Sequence, residues 1–71
     1  MKYFIIKIKD RDLFFNADEA MGEYACNTPM LLDKEQVDSI MKYCHELYLM
    51  DGDEVFYNHH LEVKEVELRY V

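Results

Sequence analysis

Basic residues are scarce in this chain: eight Lys and Arg stand against fifteen Asp and Glu, a formal net charge of −7. A surface of that sign repels phosphate backbones, so direct nucleic-acid binding is not expected and a basic protein partner is. Glycine is nearly as scarce. Two glycines in 71 residues leave no material for a phosphate-cradling loop or for the tight elbow that exposes a nucleophile. Ser39 is the only serine and falls on the expected outer face of a helix, while Thr28 sits in the breaker run Asn27-Thr28-Pro29. Fifteen carboxylates must bring some of their number close together, but no spacing singles out an acid–base pair. An enzyme is therefore not expected. No run of about 18 apolar residues is present, which argues against a membrane-spanning helix. The first residues lack the apolar stretch of a secretory signal. Two cysteines, Cys26 and Cys44, without dense disulfide spacing fit free thiols in the cytoplasm, that of the host cell if a phage encodes the chain.

What is present is apolar enough to fold. Hydrophobic residues make up 51 % of the chain, with four Phe and six Tyr, well above the content of a disordered tail. The length suits one domain over 1–71, burying roughly 60 % of its unfolded surface. A core of that size supplies only about 3–5 kcal/mol of net stability, so a homodimer would help. The charge is uneven along the chain. Residues 1–15 carry Lys2, Lys7, Lys9 and Arg11 against Asp10 and Asp12, whereas residues 16–62 carry eleven acids against Lys34 and Lys42, or −9.

Residues 2–9 alternate, with Phe4, Ile6 and Ile8 on one side and Lys2, Lys7 and Lys9 on the other, as in a half-buried strand. Asp10-Arg11-Asp12 then separates them from Leu13-Phe14-Phe15, which predicts a hairpin. Over 16–31 the pattern is mixed: a helical turn at Asp18–Met21 ended by Gly22, and a short strand at Glu23–Cys26. A helix follows. Asp33 with Gln36 three residues on makes a capping box, and Leu32 with Val37 a hydrophobic staple. Val37, Ile40, Met41, Cys44, Leu47 and Tyr48 form one apolar stripe at helical spacing, and Asp51-Gly52 reads as the stop. The segment Val55–Tyr57 reads as an extra short strand or extended loop. Leu61 to Val71 alternates with a phase change, Leu61 and Val63 against Val66, Leu68 and Tyr70, which predicts a bulge near Lys64-Glu65. Together these predict an α+β fold: a small antiparallel sheet in β-β-α-β order, with one helix packed on one face.

The opening Met-Lys-Tyr-Phe-Ile-Ile-Lys-Ile-Lys, the aromatic second strand, the capped helix and the closing Val-Glu-Leu strand resemble small acidic proteins of bacteriophages and mobile elements. The likeness is weakest over 16–31. It implies a binding role as an accessory or anti-host factor and assigns no functional residue.

Metal ligation is disfavoured. Zinc sites use paired ligands such as Cys-x-x-Cys, whereas Cys44 and His45 are adjacent on the predicted helix and diverge by about 100°. Cys44 lies in the apolar stripe, where a thiol acts as a small hydrophobe. His59-His60 beside Asn58 suits a polar turn, one that permits a pH response. Asp51-Gly52-Asp53-Glu54 ends too soon for a calcium loop of about 12 residues. No metal, cofactor or catalytic residue is expected.

The acidic surface remains. Glu35, Asp38 and Glu46 on the predicted helix exterior, Asp51, Asp53 and Glu54 after it, and Asp18, Glu19 and Glu23 before it predict one broad negative field, with Tyr43 as its anchor. Such a field imitates a phosphate backbone and occupies a basic nucleic-acid-binding site of a partner, as anti-restriction and anti-CRISPR inhibitors do. The alternative is a structural or self-assembling homodimeric module whose acidity serves only solubility.

Overall fold

The computed structural model describes residues 2–67, and the alternating segments become strands of one sheet. β1 spans Lys2–Ile8, β2 Phe14–Asp18 and β3 Gly22–Cys26. Helix α1 covers Lys34–Tyr43 and is followed by β4 at Glu46–Leu49 and β5 at Val55–Tyr57. A single 3-10 turn, Asn58–His60, leads into β6 at Leu61–Glu67. The strand order is β5-β4-β3-β2-β1-β6. Neighbours are antiparallel except β3 and β4, which run parallel with α1 as their crossover. The class is α+β as expected, but the sheet is mixed and six-stranded rather than an antiparallel β-β-α-β.

The first hairpin forms as read, its turn closed by Asp10 at φ 61°, a left-handed conformation that Asp tolerates better than most residues. β2 pairs with β1 through Lys7 and Phe14. Nearer the start of β1, Phe4 instead exchanges two backbone hydrogen bonds of 2.8 Å with Leu32, which pins the residue before the helix cap to the sheet. β5 and β6 are the outermost strands, yet only Asn58–His60 separates them, so the sheet curls until its edges approach at one end. The Lys9 N–H donating to the His60 carbonyl at 2.8 Å marks that approach.

Inside the curl lie Ile6, Ile8, Phe15, Ala25, Leu47, Phe56 and Leu61, closed off by Leu32, Val37 and Cys44. Ile6 and Ala25 are wholly inaccessible. The expected phase change in the last strand is no bulge. β6 pairs with β1 without a break from Ile8↔Leu61 to Lys2↔Glu67, so Leu61 faces the core while Val66, opposite Tyr3, belongs to the outer face. Leu68 and Tyr70 lie outside the described residues.

The helix starts where the sequence places it and ends earlier. The Asp33 carboxylate accepts the Gln36 N–H at 2.7 Å, and the Gln36 side chain accepts the Asp33 N–H at 3.0 Å. It stops at Tyr43, with Cys44 already extended, instead of running to Asp51-Gly52. The reason is a partner far away in sequence: the Asn58 side-chain amide donates to the carbonyls of Met41 at 2.7 Å and Cys44 at 3.2 Å, two groups a helix end leaves bare. Leu47 and Leu49 are then the inward residues of a strand at period two. Over so short an apolar run this pattern overlaps the helical one. Gly52 belongs to the β4–β5 turn, where a Cβ would meet the Leu49 side chain at 2.7 Å.

Candidate functional site

The expected acidic residues are dispersed by this topology into three groups. Asp51, Asp53 and Glu54 occupy the β4–β5 connection at one end of the sheet. Glu54 is taken up by Arg11 of the β1–β2 turn through two bonds of 2.8 and 3.0 Å. The guanidinium holds the Glu54 carboxyl below its ordinary range, and the carboxylate raises Arg11 in return.

The second group faces outward. Asp18 closes β2, with Glu19 beyond it in the turn to β3. One Asp18 oxygen accepts the Met21 N–H at 2.6 Å and the other the Tyr24 hydroxyl at 3.1 Å. The Met21 N–H is the main cause of the lowered pKa of Asp18, opposed in part by desolvation, with the Tyr24 hydroxyl a smaller aid. Glu46 is not on the helix exterior, because the helix has ended; it stands on β4 and accepts the Tyr48 hydroxyl at 2.9 Å. Its neighbour Leu47 points into the core, which puts Glu46 on the face of the sheet away from α1.

The third group surrounds a groove of about 400 Å³ between α1 and the sheet. Phe15, Ala17, Met30, Leu32 and Ile40 make its floor, with Glu23 and Glu35 among its rim residues. Glu23, from the sheet side, also lies beside Cys44. The Cys44 thiol is pushed up to about 11, chiefly by burial and further by the Glu23 carboxylate. Asp38, one turn beyond Glu35, pairs with Lys34 at 2.9 Å. Tyr43 ends the helix, 68 % exposed, with the Lys42 ammonium 5.2 Å from its ring centre. Of the expected site residues, the fold thus sets Glu23 and Glu35 on one groove and Asp18 and Glu46 on the outer face of the sheet. It sets Asp51, Asp53 and Glu54 apart from both pairs.

Glu23 and Glu35 above an apolar floor, with the helix-capping Asp33 also lining the groove, suit a cation carried on an aliphatic stem, as in Lys or Arg. Sequence reasoning missed the floor of this groove, since Met30 and Leu32 come from the irregular stretch before the helix. It also missed Tyr24, Tyr48 and Tyr57 as neighbours on the outer face, whose signal was the alternation within 46–49 and 55–57. Among the described residues no three His, Cys, Asp or Glu side chains gather as metal ligands. His60 instead accepts the Tyr57 N–H through Nδ1 at 3.0 Å, and the His59 and His60 rings lie 4.0 Å apart. Among the described residues no helix is long and apolar enough to cross a membrane. Comparison with protein-family models, curated proteins and solved structures finds no match for this chain.

Proposed function

We propose that this chain is a non-catalytic binding protein that occupies a basic site of a partner, acting as an inhibitor or regulator of the kind phages and mobile elements use. The partner class that fits is a protein that handles nucleic acid, whose basic cleft accepts carboxylates in place of phosphates. One observation carries this reading: the groove between α1 and the sheet joins an apolar floor to the carboxylates of Glu23 and Glu35. An apolar floor desolvates the stem of a bound Lys or Arg while the rim neutralises its head. The test is a capture from host extract at low salt, followed by affinity measurements on the purified pair across ionic strength. Affinity that falls steeply with salt, and less steeply for Glu35→Lys, is the expected result. Equal affinity for parent and variant, both folded, removes the groove from consideration.

Self-association is a second reading, favoured by β6. This edge strand leaves Val63 40 % exposed, and its register turns the Val63 and Glu65 backbone groups away from β1. Sedimentation separates the two readings, since a strand-paired dimer persists at salt that dissolves an electrostatic complex.

A further inference from the structure

The outer face of the sheet carries a row of tyrosines across β3, β4 and β5. Tyr24 and Tyr48 are direct partners on adjacent strands, and Tyr57 is paired with Glu46, two residues before Tyr48. Tyr48 is 55 % exposed and Tyr57 46 %. The hydroxyls of Tyr24 and Tyr48 reach Asp18 and Glu46 respectively, so each ring is held against a carboxylate that keeps further lone pairs for another donor. Between these two acids lies Gly22, opposite Asp18 in the β2–β3 register and two residues before Tyr24. It has φ 73°, no side chain, and open space where a Cβ would stand. Asp18 and Glu46 are therefore about 10 Å apart across an empty position, by ordinary strand spacing. Among the described residues the lysines of this face, Lys7 and Lys64, stand on β1 and β6, across β2 and β3 from Glu46. They already have partners there, in the Ile8 carbonyl and Glu62.

Resting on the basic-partner reading above, we infer that this tyrosine-walled notch over Gly22 receives an arginine side chain of a basic protein segment. Charge complementarity names the occupant: two carboxylates set into an aromatic surface, with no lysine or arginine paired to them among the described residues; the imidazole stacked on the row is that of His59, against Tyr57. Arginine fits better than lysine. Its planar guanidinium stacks on a tyrosine ring and offers five donors in a fixed fork, so one group can stack and pair at once. A lysine ammonium offers only a point charge. Tyr and Arg are also the residue types that concentrate at interface centres.

The experiment is an NMR titration of the whole chain with an oligo-arginine peptide and a length-matched oligo-lysine peptide at low salt. The arginine peptide should shift the Gly22, Tyr24 and Tyr48 amides and bind ~3- to 10-fold more tightly than the lysine peptide. Tyr48→Ala and Glu46→Gln should each remove most of that preference, whereas Tyr48→Phe, which keeps the ring, should retain it. Should Tyr48→Ala fail to fold, Glu46→Gln and the map of shifts on the parent still decide. Shifts confined to the Glu23–Glu35 groove, or equal binding of the two peptides, overturn this inference and leave the proposed function standing. Binding of neither peptide overturns both.

Discussion

Cys44 and Cys26 show how one residue type takes opposite characters from its surroundings. Cys44 sits at the helix end, 6 % exposed, its thiol pushed up to about 11 by burial and then by Glu23. Cys26 is half-exposed on β3, its thiol donating to the Thr28 carbonyl at 3.3 Å. Alkylation near neutral pH should therefore modify Cys26 rapidly and Cys44 only as the protein opens. Two equally fast thiols, counted by mass spectrometry, would contradict the burial of Cys44. The raised value also has a consequence for stability. An unfolded thiol titrates near 8.5, so the stabilisation from keeping Cys44 protonated is complete below that value. It is lost as pH rises through about 11. Cys44→Ala should flatten this alkaline decline in the melting temperature, and an unchanged decline would place its cause elsewhere. That Cys44 is buried was legible from the apolar stripe. Its proximity to Glu23 was not, because it depends on β3 and the helix end meeting across the fold.

At the scale of elements, the two ends of α1 mark the boundary of what the sequence reveals. The N-terminal cap joins residues three apart, so Asp33 and Gln36 announce it locally. The C-terminal cap comes from Asn58, separated from Met41 by 17 residues and from Cys44 by 14. No local pattern can announce that. The same blindness extended the helix into β4, which removed Glu46 from the expected helix exterior and turned a parallel crossover into a longer helix. Strands β1 and β2, with their alternation and short turn, were readable; so was the apolar character of 55–57. The parallel β3–β4 pairing and the place of Tyr48 beside Tyr24 follow from long-range register alone. Both caps should matter by comparable amounts. Asp33→Ala should cost about 1 kcal/mol, and Asn58→Ala about 1–2 kcal/mol, since it strips the donor from two carbonyls. Denaturant titration of each variant checks this. A neutral Asn58→Ala would mean that the helix end does not depend on the 3-10 turn.

For the molecule as a whole, charge is the dominant fact. The described ion pairs Lys2–Glu65, Arg11–Glu54, Lys34–Asp38 and Lys64–Glu62 all lie at the surface, where solvent and salt screen them and each contributes little. Among the described residues they leave Asp10, Asp12, Asp18, Glu19, Glu23, Asp33, Glu35, Glu46, Asp51 and Asp53 outside any ion pair, so repulsion among carboxylates should outweigh the pairs. The melting temperature should accordingly rise from low to moderate NaCl as this repulsion is screened; a falling curve would show that the pairs prevail. The same unpaired acids supply the proposed activity. Competition tests it most directly: nucleic acid is bound to the captured partner, and its displacement is followed as the chain is added across a salt series. The parent should displace it at low salt and lose this ability steeply as salt increases, while a folded Glu23→Gln, Glu35→Lys variant should displace far less at every salt concentration. Equal displacement by parent and variant, or none by the parent while it remains bound to the partner, would contradict the account.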